Sequence, residues 1–309
     1  MTAKKTRTKH RSGFVSILGR PNAGKSTLLN RLVGSKVAIV SDKPQTTRTS
    51  IQAVLTRPDA QAVFLDTPGV HEGKILLHKR MMDTVRAALH ERDLLLWMVD
   101  ASAPIDEKDL ATLDLVKDQR APVFLVLNKV DALRHKHLLL EFMERYRNAV
   151  AFKEVMPISA LNGEGTAELT EAIIRELPLG PQYFPPDHLT DQPERFLAGE
   201  MIREAALDLT RQEVPHAVAV IVDTWEEGRR LIRIAATIYV ERNGQKRIII
   251  GTGGAVLKEI GTRARAEIEA LLGRKVFLEL FVKVRANWRE NAGFLNEIDW
   301  RYMTGGENQ

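Results

Sequence analysis

The segment GRPNAGKS at residues 19–26 constrains the fold of this chain more than any other part of the sequence. A glycine, four residues and then Gly-Lys-Ser is the pattern of a loop that wraps around phosphate groups. The run FVSILG before it favours a buried strand, and KSTLLNRLVG after it favours a helix that ends at Gly34. Because such a loop joins a strand to a helix, the sequence predicts an α/β domain here.

Each part of this loop has a predicted task. Backbone N–H groups of a glycine-rich turn can surround phosphate oxygens, and the start of a helix adds partial positive charge. We expect Lys25 to reach the β and γ phosphates of a nucleotide and Ser26 to offer its hydroxyl to Mg²⁺. The predicted nucleotide contacts in this loop are Gly19, Asn22, Ala23, Gly24, Lys25, Ser26 and Thr27.

The composition favours a globular chain with two domains. The length of 309 residues and the 44% hydrophobic content are enough for two buried cores. The absence of cysteine excludes a disulfide framework, a thiolate zinc site and a cysteine nucleophile. The longest apolar runs, such as LLLWMV, are too short to cross a bilayer, and the Lys-rich start has no apolar signal core. A cytoplasmic location is the expectation.

Strand-like and helical patterns alternate from residue 14 to about 177. FVSILG, QAVFLD, LLLWMVD, VFLVLN and VMPIS are typical of strands, with amphipathic segments between them. The fold class predicted from this alternation is a mostly parallel sheet with helices on both faces. Five prolines within residues 178–194 argue against a continuing helix or central strand, so we expect a linker there.

The sequence after the linker predicts a smaller α+β domain. A helical pattern at 198–211 precedes two alternating strand patterns, HAVAVIVDTW and RLIRIAATIYV, and a long helical pattern precedes the strand VFLELFVKV. Basic residues are concentrated here, with eleven Lys and Arg against four Glu in residues 242–289. The predicted organisation is a basic disordered tail (1–12), a nucleotide-binding domain (13–177), a linker (178–195), a second domain (196–290) and a C-terminal tail (291–309).

Two further motifs follow predicted strands. In QAVFLDTPG, Asp66 can hold a metal-bound water and the amide of Gly69 can touch a γ-phosphate; a simple Pro-Gly turn is the alternative. In VFLVLNKVD, Asp131 can accept hydrogen bonds from the N1–H and 2-amino groups of guanine, which adenine lacks. Asn128 would tether loops and base, and Lys129 would lie along the base and ribose.

A buried acceptor of this kind discriminates strongly between bases. A site built to bond a donor can reject a ligand that lacks it by factors on the order of 10⁴. The sequence therefore predicts GTP and GDP as ligands, with an ATPase as the remaining alternative. In VMPISALNG, backbone N–H groups of Ser159 and Ala160 are expected near the guanine O6.

The order of these four motifs resembles that of the P-loop GTPases of the Era type, from about residue 13 to 290. SDKPQTTR at 41–48 resembles the first switch of that family. The resemblance implies that Thr47 is a Mg²⁺ ligand that senses the γ-phosphate, with Thr46 or an ordinary loop threonine as alternatives. The implied metal ligands are Ser26, Thr47 and Asp66, and the implied catalytic groups are Lys25, Thr47 and Gly69.

Two positions of this motif set bear on the rate of hydrolysis. Val70 stands where many small GTPases carry a glutamine that orients water, so hydrolysis should be slow, on the order of 10⁻³ s⁻¹ or below. The resemblance also implies that Asn22 helps to hold K⁺; bracing of the loop is the alternative. His71, beside Val70, is a candidate general base, with an ordinary polar surface residue as the alternative.

GTGG at residues 251–254 resembles the Gly-x-x-Gly loop of a KH domain. Propensity alone favours a strand for RIIIG because of its three isoleucines, whereas the KH resemblance implies a helix before the loop. Such a loop binds the backbone of about four nucleotides. Thr252 stands where the family usually carries lysine. The predicted RNA contacts are Lys246, Arg247, Gly251, Thr252, Gly253, Gly254, Lys258, Lys283 and Arg285.

Alternation in the last strand predicts two different faces. Val276, Leu278, Leu280, Val282 and Val284 share one face. Phe281, Lys283 and Arg285 share the other, which we expect to line the RNA groove; ordinary packing and solvated charge are the alternatives.

The resemblance implies a partner and a process. It implies a GTPase that binds the 3′ region of 16S rRNA in maturation of the small (30S) ribosomal subunit, with loose peripheral contact to the inner membrane. We expect the chain to be a monomer. A membrane-associated regulator and a tRNA-modification GTPase are the alternatives. The latter usually carries a cysteine near its end, and this chain has none.

Overall fold

The computed structural model describes residues 10–43, 45–70, 73–90, 92–105, 110, 112–133, 135, 137–211 and 214–303. His71 and residues 1–9 of the basic tail lie outside the described residues. The chain forms two compact units. The first comprises Met1–Val37, Ser50–Val70 and Asp83–Asp191, and the second comprises Ala38–Thr49, His71–Met82 and Gln192–Gln309.

Six strands of the first unit form one sheet within the described residues. Their order is β2-β3-β1-β4-β5-β6, and every neighbouring pair is parallel except β2 with β3. The strands are β1 (Arg11–Gly19), β2 (Ile51–Thr56), β3 (Ala60–Asp66), β4 (Leu94–Asp100), β5 (Val123–Asn128) and β6 (Glu154–Pro157). The predicted mostly parallel sheet is confirmed, with β2 as the antiparallel edge strand.

Helices connect these strands. They are α1 (Lys25–Val33), α2 (Leu76–Ala87), α3 (Asp114–Lys117), α4 (Leu138–Arg147) and α5 (Thr166–Glu176). Helix α1 ends at Gly34, as predicted, because Gly34 adopts the left-handed conformation and its N–H donates to the Asn30 carbonyl. Strands β4 and β5 are buried along almost their whole length, as expected for central strands covered on both faces.

Two ends of the first unit differ from the sequence-based expectation. The predicted disordered tail extends to residue 12, but β1 begins at Arg11, whose register partner is Ala60 of β3. The proline-rich linker has no helix or long strand up to Pro193, as predicted, yet it packs along the first unit. The backbone N–H groups of Tyr183 and Phe184 donate to Gln61 Oε1 at 2.7 and 2.9 Å.

Within the described residues, the second unit contains a separate three-stranded sheet in the order β7-β8-β9. Strands β7 (Ala219–Glu227) and β8 (Leu231–Val240) are antiparallel, and β9 (Lys275–Val284) is parallel to β8. Helix α6 (Glu194–Asp208) precedes the sheet, and α7 (Asn243–Ile250) and α8 (Ala255–Leu272) connect β8 to β9. A parallel neighbour requires such a crossover, so the two helices lie between these strands in sequence.

The two faces of the second sheet have different surroundings. Ile232, Ile234, Val276 and Val282 pack with α6, α7 and α8 in one core cluster. Phe277 and Phe281 belong to the opposite face of β9 and are 46% and 51% exposed. The predicted apolar face of β9 is confirmed except at its last residue, Val284, which is exposed.

Helix α7 shows tertiary packing prevailing over propensity. RIIIG is helical, as the KH resemblance implies, although isoleucine runs favour strands. Ile249 is completely buried in the core cluster, and the Gln245 side chain accepts from the Arg242 backbone N–H at the start of the helix. Packing and a capping contact therefore outweigh the β-branched run.

The predicted C-terminal tail is folded as far as residue 303. Helices α9 (Ala292–Glu297) and α10 (Trp300–Met303) follow β9. Phe294 and Trp288 are completely buried, with ring centroids 5.6 Å apart. They form a second core cluster with Leu77 and Tyr239, so this segment is part of the second unit. Across the described residues, no helix combines the length and the hydropathy needed to cross a membrane.

The two faces of β8 and β9 predict different responses to truncation. Ile238→Ala removes a fully buried side chain from the centre of β8 and should lower the free energy of unfolding by about 2 to 4 kcal/mol. Phe277→Ala removes a half-exposed ring and should cost about 1 kcal/mol or less. Urea denaturation of both variants measures the difference. Equal losses would contradict the assignment of the faces.

Candidate functional site

The phosphate loop is built at the end of β1. Gly24 precedes α1 with a φ of 94°, which favours glycine, and a Cβ there would lie 2.2 Å from Asn128 Nδ2. A Cβ at Gly19 would lie 2.3 Å from the carbonyl oxygen of Met98. Both glycines of the motif are therefore required by close packing as well as by backbone conformation.

Lys25 is buried within this loop. Its ammonium group donates to the carbonyl oxygens of Gly19 at 3.1 Å and Arg20 at 2.9 Å. Burial lowers the pKa of Lys25 from 10.5 to about 8, and the negative charge of Asp66 partly opposes this shift. A buried cation that is destabilised in this way favours an anionic ligand, so the loop fits phosphate.

Ser26 and Asp66 meet beside Lys25, as their positions after β1 and β3 predict. The Ser26 hydroxyl donates to Asp66 Oδ2 at 2.6 Å, and Asp66 is completely buried. Hydroxyl and carboxylate oxygens are the ligand types that suit Mg²⁺, which keeps several waters and takes few protein ligands. The residues present therefore fit a magnesium ion, which Ser26 would bind directly and Asp66 would bind through a water.

Gly69 and Val70 close against the phosphate loop. The N–H of Val70 donates to the Gly19 carbonyl at 3.0 Å, and a Cβ at Gly69 would lie 2.5 Å from the Pro21 nitrogen. Val70 is buried, with 5% of its surface exposed. The turn after β3 thus lies beside the loop, and position 70 offers only an apolar side chain.

Asn128 connects the loops after β1, β5 and β6. Its Nδ2 donates to the Ala23 carbonyl at 2.8 Å, and its Oδ1 accepts from the Ala160 N–H at 2.9 Å. The side chain is 2% exposed. The predicted tethering of loops by Asn128 is therefore present in the structure.

Two further predicted site residues, Lys129 and Asp131, follow Asn128 in the chain. Lys129 forms an ion pair with Asp100 at 2.6 Å, and Asp131 is exposed in the short helical turn that follows. The ion pair was not evident from the sequence, because Asp100 is the last residue of β4, which carries no recognised motif. The predicted role of Asp131 in reading a base stays a prediction.

The two amides expected to reach guanine O6 both have protein acceptors. The Ser159 N–H donates to the Glu164 carbonyl at 2.9 Å, and the Ala160 N–H donates to Asn128 Oδ1 at 2.9 Å. Both residues are buried. An O6 contact from Ala160 would have to share or replace its bond to Asn128, so this part of the prediction remains open.

Thr47 belongs to the second compact unit rather than to the first. It is 8% exposed, and its neighbour Thr46 donates its hydroxyl to the Lys43 carbonyl at 2.6 Å. The Thr46 hydroxyl is thus engaged within its own loop. The role of Thr47 stays a prediction.

The Gly-x-x-Gly loop of the second unit has the geometry that glycine permits. Gly251, Gly253 and Gly254 all have positive φ, at 72°, 59° and 82°. A Cβ at Gly253 or Gly254 would meet nothing within 4 Å, so the backbone there faces open space. Helix α8 begins directly after Gly254, so its first turn lies next to that space.

The predicted RNA residues fall into two groups. Lys246 and Arg247 lie in α7, and Lys258 lies in the first turn of α8, so these three flank the glycine loop. Lys283 belongs to the face of β9 opposite the helices. Arg285 lies with its guanidinium 4.2 Å from the Phe294 ring centroid and 3.5 Å from Glu297. Lys283 and Arg285 are therefore not brought to the loop.

The pKa of Lys25 gives a testable dependence on pH. A bound β-phosphate should raise this pKa, so the complex binds a proton that the free protein loses above about pH 8. GDP affinity should fall about fivefold to tenfold between pH 7 and pH 9. GMP, which lacks the β-phosphate, should show a smaller change, and isothermal titration of both ligands measures it. Equal pH dependence would contradict the assignment of Lys25.

The comparisons with known proteins agree with this geometry. Residues 14–129 match the family model described as 50S ribosome-binding GTPase, and residues 213–289 match the KH domain. GTPase Era of Geobacter metallireducens is 52% identical over 292 residues, which cover 94% of this chain and 98% of that protein.

Two solved structures resemble the whole chain. One is Era from Aquifex aeolicus bound to GDP and AlF₄⁻, with 40% identity and a TM-score of 0.90. The other is Era in complex with MgGDPNP and nucleotides 1506–1542 of 16S ribosomal RNA, with 40% identity and a TM-score of 0.91. Each match covers 94% of this chain and 99% of the other. The phosphate loop, the Asn128 junction and the glycine loop thus stand in a chain that belongs to the Era family of GTPases, with a KH domain in its C-terminal part.

Proposed function

We propose that this GTPase binds GTP and GDP with Mg²⁺, hydrolyses GTP slowly, and binds the single-stranded 3′ region of 16S rRNA through its KH domain during assembly of the 30S subunit. The observation that carries the RNA part is the open backbone at Gly253 and Gly254. Two helices meet there without side chains, so a nucleic acid backbone can approach the N–H groups at the start of α8. The Era relative solved with a 16S rRNA segment supports the choice of RNA.

The charge around the loop suits a phosphate backbone. Arg247 and Lys258 are exposed on either side of the glycines, and Lys246 is half-buried beside them. Thr252 is also exposed at the tip of the loop. It offers a hydroxyl where the resemblance leads one to expect a lysine, so the flanking basic residues would supply most of the electrostatic attraction.

The nucleotide part of the proposal follows from the first unit. Lys25 would neutralise the β and γ phosphates, Ser26 and Asp66 would hold Mg²⁺, and Asp131 would select guanine. The ion supplies charge neutralisation for the phosphates when it is bound. The buried Val70 cannot orient a water molecule. We therefore propose slow unassisted hydrolysis, on the order of 10⁻³ s⁻¹ or below.

A pair of glycine substitutions tests the RNA clamp. Gly254→Asp places a carboxylate where the RNA backbone would approach, and it should weaken RNA binding at least tenfold through repulsion. Gly273→Asp is a matched control, since Gly273 also has a positive φ and open space at Cβ but lies at the other end of α8. Both variants carry the same backbone strain.

The measurement is anisotropy of a labelled oligonucleotide that copies the 3′ end of 16S rRNA, at one fixed salt concentration. Thermal unfolding checks that both variants fold. Loss of binding in both variants, or in neither, would contradict a clamp at Gly254.

We also propose that Asn22 helps to hold K⁺ beside the phosphates. Asn22 is exposed in the phosphate loop with a φ of 63°. A cation there would stabilise transition-state charge where other GTPases use an arginine. Hydrolysis should be severalfold faster in KCl than in NaCl at equal ionic strength, and Asn22→Ala should remove the difference. Equal rates in the two salts would exclude this role.

A further inference from the structure

The outer face of the second sheet, on the side away from its helices, carries two exposed aromatic rings. Phe277 and Phe281 lie on β9 and are 46% and 51% exposed. Four residues of a strand span about 13 Å, so the two rings are separate contact points on one face. Two large apolar rings that remain in water on the same face indicate a surface that binds a partner.

The C-terminal segment covers only one part of this face. Tyr239 of β8 packs with Trp288 and Phe294 in the second core cluster. Phe277 and Phe281 do not belong to that cluster. The open part of the outer face is therefore formed by β9 and by the end of β8 that follows the turn from β7.

Basic side chains surround this open part. Arg233 is the register partner of Phe277, and its guanidinium carbon lies 5.6 Å from the centroid of that ring. Arg229 and Arg230 are exposed in the turn between β7 and β8, and Lys283 is exposed near the end of β9. None of these four basic residues forms an ion pair within the part of the chain that the structure describes. Their charge is available to a ligand.

The turn between β7 and β8 also forms a cavity. Its volume is about 450 Å³, and it is lined by residues 226–231 and Arg233. One of its two glutamates, Glu227, pairs with Arg274 at 3.0 Å. The three arginines of the cavity therefore outweigh the remaining acid, Glu226, and the excess positive charge suits a phosphate group.

Glu279 restricts how a nucleic acid could lie on the face. It is exposed between the two phenylalanines on β9, opposite Ala235. Its carboxylate repels phosphates, so a nucleotide chain would turn its bases toward this position and its backbone toward the arginines. A carboxylate can also accept a hydrogen bond from the amino group of cytosine. The negative charge at this position is thus compatible with unpaired bases.

We infer that the outer face is a second binding surface for single-stranded RNA, in which Phe277 and Phe281 stack on unpaired bases and Arg229 and Arg230 contact phosphates. Aromatic rings on an open sheet hold bases in other RNA-binding folds, and a guanidinium plane such as that of Arg233 can also stack on a base. A protein partner fits less well, because the cores of protein interfaces are depleted of charge.

This inference rests on the proposed binding of single-stranded RNA, but not on the glycine loop as its site. A loop of that kind binds about four nucleotides. The outer face would hold further nucleotides of the same strand, with bases that carry an amino group favoured beside Glu279.

Photochemical crosslinking tests the contact directly. The probe is an oligonucleotide that copies the 3′ end of 16S rRNA, with 5-iodouracil in place of one pyrimidine at a time, because light links this base to an aromatic ring that stacks on it. Trypsin cleaves after Lys275 and Lys283, so both phenylalanines fall in one peptide, VFLELFVK. We expect RNA attached to this peptide. Binding without a link to it at any position would overturn the inference.

Substitution of the rings gives the expected change in affinity. Phe277→Leu and Phe281→Leu each keep an apolar side chain and remove the ring, so each should weaken RNA binding about fivefold, the lower end for stacking on one base. Tyr302→Leu is the matched control, because Tyr302 is an exposed aromatic residue on α10, outside the sheet, and this variant should bind as wild type. Thermal unfolding checks that all three variants fold.

The salt dependence of binding tests the arginines. Arg229→Gln and Arg230→Gln should each lower the slope of log affinity against log salt concentration by about 0.7, the value for one phosphate contact of a single strand. An unchanged slope in both variants would contradict phosphate binding at the turn.

Gly254→Asp separates the outer face from the proposed clamp. If Gly254→Asp weakens binding and the two phenylalanine variants bind as wild type, the outer-face inference is wrong and the clamp stands. If the phenylalanine variants weaken binding and Gly254→Asp does not, the outer face binds RNA and the clamp is wrong. If the wild-type protein does not bind the oligonucleotide, both are wrong. A change of oligomeric state in the phenylalanine variants without a change in RNA affinity would assign the face to protein contact, which also overturns the inference.

Discussion

The nucleotide site depends on one buried amide, the side chain of Asn128. It bonds to the phosphate loop through the Ala23 carbonyl and to the loop after β6 through the Ala160 N–H. A Cβ at Gly24 would overlap its Nδ2, so the glycine and the asparagine require each other. Parallel strands end at the same edge of a sheet, which brings these loops together. The amide then fixes the distance between the phosphate end and the base end of the site.

Lys25 is a second buried group on which the nucleotide site depends. Its ammonium is held by two carbonyls of the loop and lies close enough to Asp66 for that charge to affect its pKa. A lysine with a lowered pKa at a buried position is unfavourable in the free protein. Anionic phosphate relieves this cost, so the loop gains more from the ligand than an exposed lysine would.

The core, the glycine loop and the outer sheet face of the second unit have different surroundings. The inner face of its sheet and three helices form the core, and the glycine loop between α7 and α8 is left open. The outer face is partly covered by the segment around Trp288 and Phe294, together with Leu77. Buried charges on α6 do not belong to either layer. They are explained by residues 38–49, which are distant from α6 in sequence.

Local pattern was sufficient for the elements that are periodic or tightly spaced. The helix ending at Gly34, the phosphate loop and the apolar face of β9 were predicted, because each depends on residues close in sequence. The parallel sheet was predicted from the alternation of strand and helix patterns along the chain. The helix at RIIIG needed the KH resemblance, since propensity favours a strand. The strand β2 escaped prediction, because no motif marks it.

Contacts that involve a side chain outside the recognised motifs could not be predicted. The ion pair of Lys129 with Asp100 and the placement of Arg285 against Phe294 each join residues from different elements. The buried Arg203 and Glu204 were a signal available in the sequence, since charged residues interrupt the apolar pattern of FLAGEMIREAALD. The pattern shows that a polar partner is needed, but it does not identify residues 38–49 as that partner.

The central proposal is that this GTPase binds the 3′ region of 16S rRNA through its KH domain. The most direct test titrates the full-length protein into a labelled oligonucleotide that copies the 3′ end of 16S rRNA, with a nonhydrolysable GTP analogue and then with GDP. The account predicts saturable binding of the oligonucleotide, and a difference of about fivefold or more between the two nucleotides would show coupling between the sites. No binding in either nucleotide state would contradict the RNA partner, and equal affinity in the two states would show that the nucleotide does not affect RNA binding.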